Sequence, residues 1–377
     1  MRAAGIAAIG IVGAIVLIMA LMGPAARAET PDGWLDQVGF DRMNRYVQSE
    51  AGFDALDYLK KLLTGGDFGG ENAMKVLMDG LWTEARRAFT SMLKPLLSPV
   101  AMCAGLKLAV GRKHTAAQVA SLACVLCCAL VLVEQLNTSA REAGAFLDAM
   151  KRASDVLTPV TAAACALTGA VETAALMQPL AAECSTIAEY AFGNVGLSMC
   201  AAAGAVAVAG SLSERLPLTR LYELIRSVVK WLLGAAMLLF GALMSIQGSM
   251  GAARDSAALR AARTAMDALV PALGGGLSNV TGALSVSAGT LRRAVGITGM
   301  VCVAHLCFAP LLRLAASMIA VKLAAAALEP LSEGPAATLA GRFGELLELM
   351  LAICLTCAVM TALLAGGCAV LLGGAMG

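Results

Sequence analysis

Two cysteine pairs, Cys124-x-x-Cys127 and Cys354-x-x-Cys357, have the spacing of a metal knuckle, in which paired thiolates hold a zinc ion. Both lie in apolar runs with no histidine or acidic residue beside them, where cysteine behaves as a small hydrophobe. None of the twelve cysteines falls in 29–93, the one sizeable polar stretch. The expectation is therefore inert packing, with no metal and no cofactor. The stronger chemical candidates are charges inside apolar segments: Glu172, Arg313 and Lys322, with Asp255, Arg260 and Arg263 in a Gly-punctuated stretch. At the bilayer centre each would cost about 2.5–3.5 kcal/mol on insertion scales. Such residues face the bundle interior, enclosed water or an opposite charge, either as functional groups or as structural ion pairs. Only two histidines occur, His114 and His305, and neither belongs to an H-E-x-x-H motif. There is no G-x-S-x-G and no Walker sequence. No catalysis is expected, and His305 reads as a helix-packing residue.

These side chains must be held by membrane helices. The 377 residues are 59% hydrophobic and only 14% charged, against about 25% charged in soluble domains. Net charge is +2, which argues against a nucleic-acid partner. The apolar runs are continuous rather than alternating, so helices are expected and a β-barrel is not. The fold class is all-α: a polytopic membrane helix bundle, its small residues allowing close approach of helices.

In chain order, Met1–Ala28 reads as a signal peptide, with Arg2, an apolar Ile6–Met22 and Ala26-Arg27-Ala28 before Glu29. Residues 29–93 read as a small helical exported module, with Met74, Leu77, Met78, Leu81, Ala85, Phe89 and Met92 on one stripe. Spans are expected near 95–111, 115–133, 158–178, 195–213, 231–247, 295–328 and 349–373, with Pro310 breaking the sixth. Between them, 134–155 reads as a mixed segment of helical character outside the membrane, and 214–230 as an interfacial amphipathic helix. Gly234, Gly241 and Gly248 recur every seven residues, marking one helix face for close packing. Positive charges at 112–114, 214–230 and 254–293 all favour the cytoplasm. A simple span at 231–246 would put the last two on opposite sides, so 249–293 is expected to be partly buried in the membrane.

The densest stretch is Ile246–Gly276, IQGSMGAARDSAALRAARTAMDALVPALGGG. Its Gln247-Gly248, Gly251, Asp255, Arg260, Ala262, Pro271 and Gly274 resemble the stage III sporulation protein AE family. Leu59–Gly65, the Ala-rich run ending at Pro179, Gly296, Ala309-Pro310 and Lys322–Pro330 extend that resemblance over nearly the whole chain. One departure is visible: Asn279 and Gly282 stand where acidic residues are expected, which removes any carboxylate role there.

The resemblance implies a multi-pass protein of the mother-cell membrane around the forespore. Its implied partners are the other stage III A sporulation proteins and, through them, stage II sporulation protein Q, in a channel or feeding complex that an ATPase subunit energises. Self-association into a homo-oligomer also fits such a role. Helix-packing or pore-lining residues would then be Gly234, Gly241, Gln247, Gly248, Asp255, Arg260, Pro271, Gly274, Pro310, Arg313, Lys322 and Glu172. The alternative is a free-standing secondary transporter in which Glu172, Arg313 and Lys322 couple or bind substrate.

Overall fold

In a bilayer every backbone N–H and C=O needs an internal partner, and long uncharged runs meet that need as helices. A computed structural model describes residues 40–64, 114–167, 171–212, 218–269, 274–329 and 335–370, with isolated positions at 90, 100, 101 and 105. The side chains of 114–121, 246–293 and Glu172, among others, fall outside that description. The described elements are α1 (Phe40–Ala51), α2 (Ala55–Thr64), α3 (His114–Leu167), α4 (Val171–Ile187), a π-helical stretch (Ala188–Leu197), α5 (Ser198–Leu212), α6 (Thr219–Leu269), α7 (Gly274–Leu328) and α8 (Pro335–Val370). No strand occurs among the described residues. Five helical segments are long and apolar enough to cross a membrane: Leu122–Ala166, Ala174–Leu212, Thr219–Ser245, Ala294–Leu328 and Pro335–Gly366.

Helix continuity differs from the sequence reading at three places. Residues 134–155 join the apolar runs on either side into one helix of 54 residues, α3, about 81 Å long. The span expected at 158–178 is divided, its first part closing α3 and its second opening α4. The expected break at Pro310 is absent, because α7 runs through it, as α3 runs through Pro159 and α4 through Pro179. Proline removes one backbone donor, which a packed membrane bundle tolerates. Buried Cys307, Leu311 and Leu314 fix α7 on both sides of that point. The amphipathic helix expected at 214–230 and the span after it are likewise one helix, α6, which continues to Leu269. The expected signal peptide, the stripe at 74–92 and the span at 95–111 lie outside the described residues.

α8 is the central helix: 67% of its most apolar window is buried within the chain, against 17% for α6 at the periphery. α7 and α8 form an antiparallel hairpin. A Cβ on Gly299 would lie 3.2 Å from Ala365 Cβ, and one on Gly344 would meet the Lys322 stem 22 positions along each helix. α5 is antiparallel to both α3 and α8. Gly193 and Gly204 approach Leu147 and Leu136 of α3, while Gly196 and Gly204 approach Ile353 and Leu346 of α8.

The N-terminal pair is amphipathic. Phe40, Met43 and Val47 bury one stripe of α1, and Ala55 and Leu59 bury one of α2, at the three- and four-residue steps of a helix face. Gly52, at φ +64°, closes α1 in the left-handed conformation that other residues avoid, and its N–H bonds to the Gln48 carbonyl at 3.1 Å. Asp54 then caps α2: its Oδ1 accepts from Leu56 N at 3.1 Å and Asp57 N at 3.0 Å. Asn44 Oδ1 accepts from Ala55 N at 2.7 Å. The Asp57 backbone donor holds the Asp54 carboxyl below its ordinary pKa. A depressed carboxyl stabilises above its unfolded pKa and loses that contribution as pH falls through the folded one. Asp54→Ala should therefore cost α2 about 1 kcal/mol, seen as faster amide exchange at 56–59, with the difference from wild type vanishing in acid. α1 and α2 dock on the bundle: Tyr46 Oη donates to the Ala149 carbonyl of α3 at 3.2 Å, and Phe53 stacks on His305 of α7 with ring centroids 4.2 Å apart.

Candidate functional site: a polar seam between apolar helices

The longest-range polar contact ties α3 to α7. Ser139 Oγ lies 3.4 Å from Ser317 Oγ, and both side chains are buried. Ser317 in turn donates to the Leu314 carbonyl at 2.8 Å. Further along, Cys307 Sγ contacts Met150 Sδ at 3.3 Å. Positions thus rise on α3 as they fall on α7, which fixes an antiparallel register. On the same stretch, Glu142 turns towards Arg313, near enough to act on it electrostatically. One Glu142 oxygen is buried without a hydrogen-bond partner among the described residues. An apolar surround makes an unmatched oxygen expensive, so the opposing guanidinium on α7 is what offsets it.

The α7–α8 hairpin carries its own ion pair. Lys322 Nζ donates to Glu348 Oε2 at 2.6 Å, the side chains being 29% and 40% exposed. One helical step away α6 is fastened to α8. Arg226 Nη1 lies 2.9 Å from Glu345 Oε2, and Tyr222 Oη donates to the Arg342 carbonyl at 2.9 Å, with Glu345 Oε2 at 3.1 Å. The Arg342 guanidinium sits 5.5 Å from the Tyr222 ring centroid and donates to Thr219 Oγ1 at 3.0 Å. Each pair joins two different helices, so the network sets helix positions and lowers the cost of holding charge among apolar segments. The Tyr222 side chain is 3% exposed. Tyr222→Phe keeps its ring but removes the bond to α8, and should cost about 1 kcal/mol, read as a lower melting temperature in detergent.

Of the residues singled out from sequence, Arg313 and Lys322 enter this seam, facing Glu142 and Glu348. Pro310 lies within α7, one turn from Arg313. Gly234 and Gly241 sit elsewhere: a Cβ on either would meet nothing within 4 Å, so the heptad glycines of α6 do not pack on this chain. Gln247, Gly248, Asp255 and Arg260 lie on the helical continuation of α6, Gly274 opens α7 and Glu172 belongs to α4, with their surroundings outside the described residues. Pro271 is outside them altogether. Sequence reasoning missed Glu142, Arg226, Arg342, Glu345 and Glu348. Arg342, Glu345 and Glu348 recur every three residues on one face of α8, a signal hidden by reading 329–348 as a polar segment beyond the membrane. His305 packs as expected, its Nδ1 3.0 Å from the Val301 carbonyl.

The cysteines divide. Cys354 and Cys357 are free and buried in the core, and no group of three His, Cys, Asp or Glu among the described residues is placed to hold a metal ion. Cys124 and Cys165 depart from the expected inert packing, since both are disulfide-bonded. They stand 41 positions apart on the one helix α3, about 60 Å, so they do not pair with each other.

Against known proteins, residues 53–370 match the family model for stage III sporulation protein AE. A relative named stage III sporulation protein AE, from Bacillus subtilis (strain 168), is 25% identical over 182 residues, or 48% of this chain and 46% of that protein. That alignment thus spans about half the length of the curated relative. No solved structure matches the chain. With the family model covering most of the sequence, and with the membrane-length helices to match, this chain belongs to the stage III sporulation protein AE family.

Proposed function

We propose that the chain is an integral membrane subunit of a mother-cell to forespore channel or feeding complex, required for sporulation after engulfment. It acts as a structural or pore-forming part with no chemistry of its own. Family membership over residues 53–370 carries this reading, and five helices long enough to span a bilayer support it. Ion pairs that latch α6, α7 and α8 together supply the rigid scaffold a conduit wall needs. Its place is the mother-cell membrane around the forespore. Its partners are the other stage III A proteins and, through them, stage II sporulation protein Q, with an ATPase subunit providing energy.

The test is crosslinking in sporulating cells followed by purification of the tagged full chain. Other stage III A proteins and stage II sporulation protein Q should co-purify, and deletion of the gene should arrest cells after engulfment. A chain that purifies alone, and transports a solute by itself in vesicles, would replace this reading with a free-standing transporter.

A further inference from the structure

α3 carries a charged stripe on its outer side. Glu134, Arg141, Asp148 and Asp155 recur at seven-residue steps, joined by Asn137, Lys151 and Arg152, and all are exposed. The opposite side of the same turns is buried: Leu136, Ala143, Phe146, Met150, Ala153 and Leu157. From Glu134 to Asp155 the stripe runs about 32 Å, close to the bilayer core thickness of about 30 Å. Immediately before it the exposed side of the helix is apolar, with Leu122, Leu126, Leu130 and Val133.

Depth is what makes the stripe informative. A small gap lined by Met150, Lys151 and Ser154 of α3 is also lined by Cys357, Met360 and Thr361 of α8, so these stretches lie at one level. α6 runs parallel to α8 from the Tyr222–Arg342 contact. Equal rises along the two helices bring Leu238 beside 358–361, at the level of Asp148 and Lys151. There α6 turns apolar side chains outward, Leu238 being 77% and Trp231 73% exposed. One layer of the bundle thus shows a lipid-compatible face on α6 and a charged face on α3. Lipid against the second would leave a ladder of unsolvated charges.

From this juxtaposition we infer that the outer face of α3 from Glu134 to Asp155 is the wall of a hydrated passage through the bilayer. This deepens the conduit reading above and rests on it. The wall is held on its flanks by the Lys151–Glu189 ion pair to the π-helical stretch and by Glu142 facing Arg313 on α7. Three acidic and three basic side chains alternate along it, Glu134, Asp148 and Asp155 with Arg141, Lys151 and Arg152. Rings of one charge sign select ions. A balanced wall does not, so the passage takes small hydrated solutes of either sign.

The test is thiol labelling of the full chain in membranes, resolved site by site by mass spectrometry. Membrane-impermeant reagents of both charges are applied to Asn137→Cys, Ala145→Cys, Asp148→Cys and Asp155→Cys, with Leu238→Cys as the lipid-side comparison. Ala145, exposed on the same face, gains only a sulfur, which keeps one variant close to native. All four α3 positions should react at least tenfold faster than Leu238→Cys, with both reagents. Protection of Ala145→Cys and Asp148→Cys to the level of Leu238→Cys would overturn the proposal, showing a face covered by protein or lipid. So would labelling confined to one end, or equal reactivity at Leu238→Cys, which would put the layer outside the bilayer. The labelling reads water at this face whether or not a sporulation complex forms. Loss of co-purifying partners with labelling intact would fault only the assembly reading.

Discussion

Glu348→Lys should destabilise the helix bundle by about 2 kcal/mol, and Lys322→Glu in the same chain should restore most of the loss. The two side chains meet at 2.6 Å between α7 and α8, partly shielded from solvent. Breaking a fully buried pair costs about 3–5 kcal/mol, and the exposure of Glu348 reduces that through screening. The single variant leaves two cations facing each other, whereas the swap rebuilds an opposite pair in the same place. Gly344 leaves room for the Lys322 stem: a Cβ there would lie 2.9 Å from Lys322 Cγ. Gly344→Ala should consequently shift the pair with little loss, because the end of a flexible side chain gives way. Thermal unfolding in detergent of the singles and the double swap checks the coupling. Additive losses in the double variant would mean that the pair does not join the helices.

Gly299→Leu should cost about 3 kcal/mol or prevent accumulation of the folded chain, while Gly234→Leu should change stability by less than about 0.5 kcal/mol. At Gly299 a Cβ already lies 3.2 Å from Ala365 Cβ and 3.3 Å from the Ala365 carbonyl oxygen. That neighbour is backbone, so the larger side chain has to push α7 away from α8 along the most extensive contact in the bundle. At Gly234 the same addition meets open space. A melting-temperature series over Ala, Val and Leu at both sites should fall steeply at Gly299 and stay flat at Gly234. Equal slopes would show that the heptad glycines of α6 pack after all.

The helical, membrane-type character of the chain was legible because uncharged runs of membrane length leave the backbone few other ways to satisfy its hydrogen bonds. Lys322 and Arg313 were legible as charges needing partners, since each stands alone in an apolar run. Their partners were not, because Glu142 and Glu348 sit in segments whose overall polarity reads as extramembranous. The continuity of α3 was hidden for the same reason: the charges of 134–155 occupy one face, whereas the buried face keeps a helical period through Leu136, Phe146, Met150 and Leu157. Pro310 misled through its chemistry. A missing donor costs one hydrogen bond, and packing on both sides of it outweighs that cost. Gly234 and Gly241 misled through pattern alone, for a heptad of small residues shows that a face permits close approach and not that a helix of the same chain lies there.

The measurement closest to the central claim is the partition of the full chain in native membranes washed with concentrated urea at neutral pH, which strips peripheral proteins and leaves spanning ones. The chain should stay in the membrane pellet and move to the soluble fraction only with detergent. Release by urea alone, as a monomer that remains dissolved, would contradict a bilayer-embedded bundle and everything built on its polar seam.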